Sequence, residues 1–397
     1  MAIHHFAQRM QRVQPSAVAE LLRLGSDPSV ISFGGGYPDA TLFPLEQLDD
    51  VFHRTISVDG ARALQYSVSD GLPALRALIA RRMQAMGAPT AADDVLVLQG
   101  AQQGLDLVAK LLIDPGDVIV TENPTFVGAL LAFDPYEPRY VGVPVDQDGM
   151  DMAALEQVLQ STPRVKLIYT VPDFHNPTGV TMSRERRSAL IELANRYDVL
   201  ILEDTPYREV RFEGEHLPTL RSLDSAGRVI FLGSFSKILA PGLRLGWAAA
   251  APDLLQKLGM LKLAADTQTS TVNMLAVTAF LERYDIDAHI DRLRAAYRRK
   301  KDLMLDLIRE TFPADVQVTN PQGGLFTWVT FRPDFDTTAF MRDYGLPQAR
   351  VAYVPGATFF PVVQEQHHAR FNYSYQSDEQ IIAGMTALGR LLHQQLG

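Results

Sequence analysis

Lys237 sits between two hydroxyls and an arginine in Ser234-Phe235-Ser236-Lys237-Ile238-Leu239-Ala240-Pro241-Gly242-Leu243-Arg244, directly after the apolar run Val229-Ile230-Phe231-Leu232. A lysine is ordinarily a solvated surface charge. At the end of a buried strand its amine must be paired or unprotonated, and an unprotonated amine is a nucleophile. Ser234, Ser236 and Arg244 can each bond an anion. Three other apolar runs end in complementary chemistry. Val95-Leu98 leads into Gly100-Ala101-Gln102-Gln103-Gly104 and a helical pattern, so free backbone N–H groups at a helix start can meet a phosphate. Val165-Thr170 leads to His175-Asn176-Pro177-Thr178-Gly179, and Val199-Leu202 leads to Glu203-Asp204-Thr205-Pro206-Tyr207. Each has a bland reading taken singly: a βα turn, a loop, a helix cap at Asp204. Four strand ends bearing anion donors, an amide, a carboxylate with a phenol, and a lysine together call for a ligand.

Pyridoxal 5'-phosphate carries a phosphate, a phenolic oxygen, a ring nitrogen and an aldehyde, and each of these wants a different residue type. Lys237 suits the aldehyde, and Asp204 suits the protonated ring nitrogen. Asn176 and Tyr207 suit the phenolic oxygen. Gly100, Ala101 and Gln102, with Ser234, Ser236 and Arg244, suit the phosphate.

These strand ends need a scaffold. The chain has 397 residues, 47% hydrophobic and 21% charged, which suits a large α/β domain with a second, smaller one. Apolar runs at Val95-Leu98, Val118-Thr121, Val165-Thr170, Val199-Leu202, Val229-Leu232 and Leu243-Ala250 alternate with helical patterns such as Gln102-Ile113 and Arg184-Tyr197. That alternation predicts a parallel sheet covered on both faces, with ligands collected at the carboxyl ends of its strands. From Asp285 a charged helix over Asp291-Thr311, then strands near Leu325-Phe331 and Phe371-Tyr375 and a closing helix, predict a smaller α+β domain. The expected division is an arm at 1–45, a large domain at 46–284 and a small domain at 285–397.

A net charge of −9 argues against nucleic acid as a partner. No apolar run reaches membrane-spanning length, and MAIHHFAQRM lacks a signal-peptide core. No cysteine is present, so disulfides and thiolate chemistry are excluded. A cytoplasmic protein is expected. The nine histidines are scattered, and His4-His5 and His367-His368 lack ligand spacing, so they are predicted as surface residues and no metal is expected.

As a set, the motifs resemble the fold-type-I pyridoxal phosphate enzymes, specifically the class I/II aminotransferases of the 2-aminoadipate and kynurenine branch. The matching stretches are LQYSVSDGLPALR (Leu64-Arg76), GAQQGLDLV (Gly100-Val108), ENPTFVGAL (Glu122-Leu130), HNPTG (His175-Gly179), EDTPY (Glu203-Tyr207), SFSKILAPGLRLGW (Ser234-Trp247) and RFNYSY (Arg370-Tyr375). The resemblance implies an α/β fold whose large domain holds a mostly parallel seven-stranded sheet between helices, beside a smaller α+β domain. It further implies that Phe126 stacks on the pyridine ring, that Tyr66 reaches the phosphate of a neighbouring subunit in a homodimer with composite sites, and that Arg370 clamps the substrate carboxylate. Ser16, Gly36 and Asn176 would lie at the substrate. Read as a strand, RFNYSY puts Arg370, Asn372 and Ser374 on one face. Lys237, Asp204 and Tyr207 carry the chemistry in this reading.

The activity implied is amino transfer between an L-amino acid and a 2-oxo acid such as 2-oxoglutarate, by a ping-pong route. The same constellation also serves β-lyases and decarboxylases. A regulator built on such a domain normally carries an added DNA-binding region, whereas the resemblance starts near Gln14. Relatives that accept acidic side chains carry an arginine where Ala19 stands here, beside Glu20. A neutral side chain, aromatic or aliphatic, is therefore the expected preference, with Arg23 available for glutamate in the other half-reaction.

Overall fold

The computed structural model describes residues 6–11 and 27–396. Ser16, Ala19 and Arg23 lie outside them. The first strands in chain order are β1 (Ile31–Ser32), β2 (Val95–Leu98), β3 (Val118–Asn123), β4 (Arg139–Asp146) and β5 (Gly149–Met150). Next come β6 (Val165–Thr170), β7 (Leu200–Asp204), β8 (Val229–Ser234) and β9 (Gly246–Ala249). The last are β10 (Gln317–Val318), β11 (Phe326–Thr330), β12 (Val351–Ala352), β13 (Val354–Pro355) and β14 (His368–Asn372).

The apolar runs form the sheet that the alternation predicts. Its order is β2-β9-β8-β7-β6-β3-β4-β5, with β8-β7-β6-β3-β4 paired in parallel. All four residues of β2 and all six of β8 are buried, because helices cover both faces and leave no solvated side. Seven strands make the expected sheet; the eighth, β5, is a two-residue return antiparallel to β4. Neither β4 nor β5 was legible, since β4 (RYVGVPVD) is mostly half-exposed. β9 runs antiparallel to both β2 and β8. Leu243–Ala250 is not a continuous strand. Pro241–Leu243 winds into a short 3-10 turn and Arg244 takes φ +50°, which reverses the chain before β9.

Sequence capping sets the helix ends. Ser183 accepts from the Arg186 N–H at the start of Arg184–Tyr197, as an N-cap serine should. Asp285 accepts from the N–H groups of Asp287 and Ala288, so the long helix runs Ile286–Thr311 and starts five residues before its expected position. No helix among the described residues is long and apolar enough to cross a membrane.

A second, antiparallel sheet has the order β10-β11-β14-β13, with Arg370 opposite both Trp328 and Val354. β14 spans His368–Asn372 rather than Phe371–Tyr375, so Arg370 and Asn372 share a strand face but Ser374 lies beyond it. Asn372 turns back to bond the Ser374 hydroxyl at 3.1 Å. β1 pairs in parallel with β12, Ile31 against Val351, and this brings the segment after β1 across to the mouth of the large sheet.

That segment is anchored by a buried ion pair. Lys300 Nζ donates to Asp39 Oδ2 at 2.6 Å and to the Ser374 carbonyl at 3.1 Å. Burial alone would raise the Asp39 pKa, but the bonds from Lys300 and Thr41 outweigh it and hold the carboxyl below its ordinary value. Lys300→Met strands that carboxylate. The expected loss is about 3 kcal/mol of unfolding free energy at pH 7 by urea denaturation. The pair's contribution is fully present above the unfolded pKa of 3.8 and disappears as pH falls through the lowered folded value, so the deficit of the variant should shrink in acid.

Candidate active site

A cavity of about 270 Å³ opens where the strands of the large sheet end. Ala101 and Gln102 enter it after β2, Phe126 after β3, Asn176 after β6, and Asp204 and Tyr207 at the end of β7. Ser234, Ser236, Lys237 and Arg244 follow β8, Gly36 follows β1, and Arg370 comes from β14. Gly100 stands behind this wall as the N-cap of helix Ala101–Leu112, with φ +75°. A Cβ there would lie 2.5 Å from the Arg244 guanidinium, so the close approach requires glycine. Tyr66 is not brought to this cavity: it is 81% exposed on the surface. Ser16 lies outside the described residues.

The amine of Lys237 donates to the Gly36 carbonyl at 2.8 Å and has no acid partner among the described residues. Burial, with Arg244 and Arg370 nearby, lowers its pKa from 10.5 to about 8. Arg370 donates to Asn176 Oδ1 at 2.7 Å and to the Gly34 carbonyl at 2.6 Å. Its guanidinium lies 4.1 Å over the Phe326 ring and 5.0 Å from that of Phe359. Burial lowers its pKa to about 10 despite the phenol of Tyr207, and its Nε has no partner among the described residues. Arg244 bonds carbonyls, that of Gln99 at 3.3 Å and that of Pro241 at 3.5 Å. Ser234 Oγ accepts from the Ser236 N–H at 3.1 Å, and Gln102 donates to the Gly128 carbonyl at 2.7 Å.

Among the described residues, Asp204 is the one acid lining this cavity. It is not a helix cap. Oδ2 accepts from the Tyr169 hydroxyl at 3.0 Å, while Oδ1 is buried without a partner. Burial pushes its pKa up to about 7, Tyr169 opposes this, and Glu122 adds to it. Asn176 Nδ2 donates to Tyr207 Oη at 3.3 Å, and burial raises the Tyr207 pKa, so the phenol stays protonated.

Tyr169, in the sequence simply one residue of the apolar run Val165-Thr170, is a site residue that sequence reasoning missed. Its signal was that a buried tyrosine needs a polar partner. Such reasoning also missed Phe326, Val354 and Phe359, whose approach depends on pairing between distant strands. His367 and His368 are half-buried rather than surface residues. His368 stacks on Trp328 and Phe360 and bonds Thr330 at 3.0 Å and Glu365 at 2.9 Å. One ligand atom each from Glu365, His367 and His368 lies within 4.8 Å of the others.

Three cations without carboxylate partners among the described residues surround one acid with a bare oxygen. Such a set fits a ligand that brings two anionic groups and one cationic ring N–H, and pyridoxal 5'-phosphate with an amino acid has that pattern. A profile described as aminotransferase class I and II matches residues 33–388. The chain belongs to the class I and II aminotransferases. It is similar to aromatic-amino-acid aminotransferase 1 of Thermococcus litoralis, at 38% identity over 99% of this chain and 95% of that protein. The fold matches a kynurenine aminotransferase from Pyrococcus horikoshii solved with pyridoxamine phosphate (TM-score 0.93, 35% identity, 99% and 98% of the two chains). It also matches an α-aminoadipate aminotransferase from Thermus thermophilus bound to N-(5'-phosphopyridoxyl)-L-leucine (TM-score 0.91, 34% identity, 98% of each). This aminotransferase is a pyridoxal phosphate enzyme.

A lysine with pKa about 8 is half neutral at pH 8, whereas an ordinary lysine is about 0.3% neutral there. In the cofactor-free aminotransferase, an amine-directed acylating reagent at pH 8 should therefore modify Lys237 well before the surface lysines, with a rate midpoint near pH 8 by peptide mass mapping. Modification at the same rate as surface lysines would contradict this.

Proposed function

We propose that this aminotransferase moves amino groups between a neutral L-amino acid, aromatic or aliphatic, and a 2-oxo acid such as 2-oxoglutarate. The observation that carries the reading is that Lys237, Arg244 and Arg370 have no carboxylate partner among the described residues, around the bare oxygen of Asp204. Arg244, Ser234, Ser236 and the N–H groups at Gly100, Ala101 and Gln102 would hold the cofactor phosphate. Asp204 would hold the ring nitrogen, Asn176 and Tyr207 the phenolic oxygen, Phe126 the ring face, and Lys237 the aldehyde carbon.

When bound, pyridoxal 5'-phosphate supplies the electron sink that lets a proton leave the carbon bearing the amino group. The residues do the rest. Arg370, clamped over Phe326 and Phe359, binds the substrate carboxylate and fixes which bond faces the amine. Lys237, with its pKa near 8, takes a proton at Nζ and returns it, and the Gly36 carbonyl at 2.8 Å orients that nitrogen. Phe326, Val354, Phe359 and Val127 keep water out.

Support for a neutral side chain comes from these apolar walls, since among the described residues no cation lines the cavity beyond the three assigned. A homodimer is supported by the ridge of Leu64 (74% exposed), Tyr66 and Val68, apolar surface that an isolated chain leaves wet. Tyr66 would then serve the partner's phosphate. An arm of 1–45, a large domain of 46–284 and a small domain of 285–397 complete the reading.

The test is a substrate panel on purified protein with 2-oxoglutarate as acceptor. Leucine, phenylalanine and kynurenine should exceed 2-aminoadipate and aspartate in kcat/KM. Pyridoxamine phosphate should form with an amino acid alone, whereas pyruvate and ammonia would indicate β-elimination. Lys237→Ala should lose turnover by about 10⁴-fold or more, and Arg370→Lys should raise KM by about tenfold or more through loss of the bidentate grip. Light scattering should give twice the mass of the chain. A panel led by 2-aminoadipate would overturn the substrate reading.

A further inference from the structure

We propose that Tyr169 is a positioning residue that grips Asp204 by one carboxylate oxygen and so presents the other, bare and charged, to the ring nitrogen of the cofactor. The proposal rests on the cofactor reading above and adds to it a residue that never reaches the ligand. Tyr169 lies in β6 opposite Leu202 of β7, two residues before Asp204. It is fully buried, and its ring stands edge-on to Phe133 with centroids 5.6 Å apart and planes at 81°. The phenol has one proton, and that proton goes to Oδ2 at 3.0 Å. Burial, with Asp204 beside it, raises the Tyr169 pKa well above the ordinary phenol value, so at neutral pH the group can only be a donor here. Among the described residues no other side-chain hydrogen bond reaches Asp204, and Oδ1 has none. The carboxylate is therefore fixed at one end and open at the other.

The surrounding charges make this grip consequential. The titratable groups acting on Asp204 are Tyr169, Glu122 and Tyr207. Glu122 is itself occupied: it accepts from Thr170 Oγ1 at 2.6 Å and the Val171 N–H at 3.0 Å, and lies 3.1 Å from His175 Nε2. It repels the Asp204 charge without touching it. Among the groups acting on Asp204, the Tyr169 hydroxyl alone favours its ionised form in the cofactor-free protein, against burial that pushes it up to about 7. Removing that hydroxyl leaves both oxygens bare, so the acid takes a proton and can no longer pair with a protonated ring nitrogen.

Tyr169→Phe keeps the ring and its contact with Phe133. In cofactor-free protein, the infrared carbonyl stretch of the protonated carboxyl, assigned by its absence in Asp204→Asn, should titrate about one pH unit or more higher in Tyr169→Phe than in wild type. Affinity for pyridoxal phosphate, followed by tryptophan quenching from pH 6 to 9, should fall about tenfold at pH 7. The gap should narrow toward pH 9, where Asp204 ionises in both proteins. In an Asp204→Asn background the same change should add little further loss. An unmoved carboxyl midpoint, a pH-independent loss of affinity, or a full loss that persists in Asp204→Asn would overturn the proposal while leaving the cofactor assignment intact. Wild-type protein that takes up no pyridoxal phosphate would overturn the cofactor reading and this proposal together.

Discussion

The site depends on charged groups that the protein declines to pair: Asp204 and Arg370 are buried, Lys237 is half-buried and Arg244 lies at the exposed rim. Lys237, Arg244 and Arg370 have no carboxylate within ion-pair distance among the described residues, and Asp204 keeps one oxygen without a donor. Burying an unpaired charge costs several kcal/mol in a protein interior, so such groups relax toward partners unless something holds them. Neutral groups hold them here. Backbone carbonyls of Gly34, Gly36 and Gln99 take the cations, and the amide of Asn176 and the phenol of Tyr169 take one edge each of Arg370 and Asp204. Neutral partners orient a charge without cancelling it, which leaves the electrostatic work for the ligand.

A second buried charge cluster shows the contrast. Asp173 is bonded to Arg187 at 2.8 Å and Arg208 at 2.9 Å, with Arg211 3.7 Å away. Burial would raise the Asp173 pKa, yet the two guanidinium groups hold it well below the carboxylate range. That cluster follows β6 only three residues before Asn176, but its acid is directly ion-paired, and it ties the loop after β6 to helix Arg184–Tyr197 and to the segment after β7. An ion-paired acid braces the scaffold there; charges without ion pairs face the cavity. Composition cannot separate the two, because both are an acid near arginines in the same stretch of chain.

Much of the architecture was legible for a simple reason. Val95-Leu98 and Val229-Leu232 are apolar on every residue, and Val165-Thr170 is interrupted only by Lys166 before its polar end at Thr170; only a sheet covered on both faces accepts such runs. Strand ends then located the polar constellation, and the described residues carrying it do converge, apart from Tyr66. The half-exposed β4, the reversal at Arg244 and the true ends of β14 were not legible, since each is set by tertiary pairing or by one dihedral. Tyr66, which the resemblance assigns to a neighbouring subunit's site, is 81% exposed on the single chain. Phe326 and Phe359 escaped notice for the same physical reason as Val354. Nothing local marks an aromatic that stacks on a guanidinium delivered by another strand.

The parallel pairing of Ile31 with Val351, and the bond from Arg370 to the Gly34 carbonyl, join segments more than three hundred residues apart in the chain. During vectorial synthesis on a ribosome, the segment from Gly34 to Gly36 must wait for more than three hundred further residues before Val351 and Arg370 exist to meet it. The nascent large sheet can form its half of the pocket in the meantime. The finished setting for the vitamin-derived group thus waits on the strand that carries Arg370.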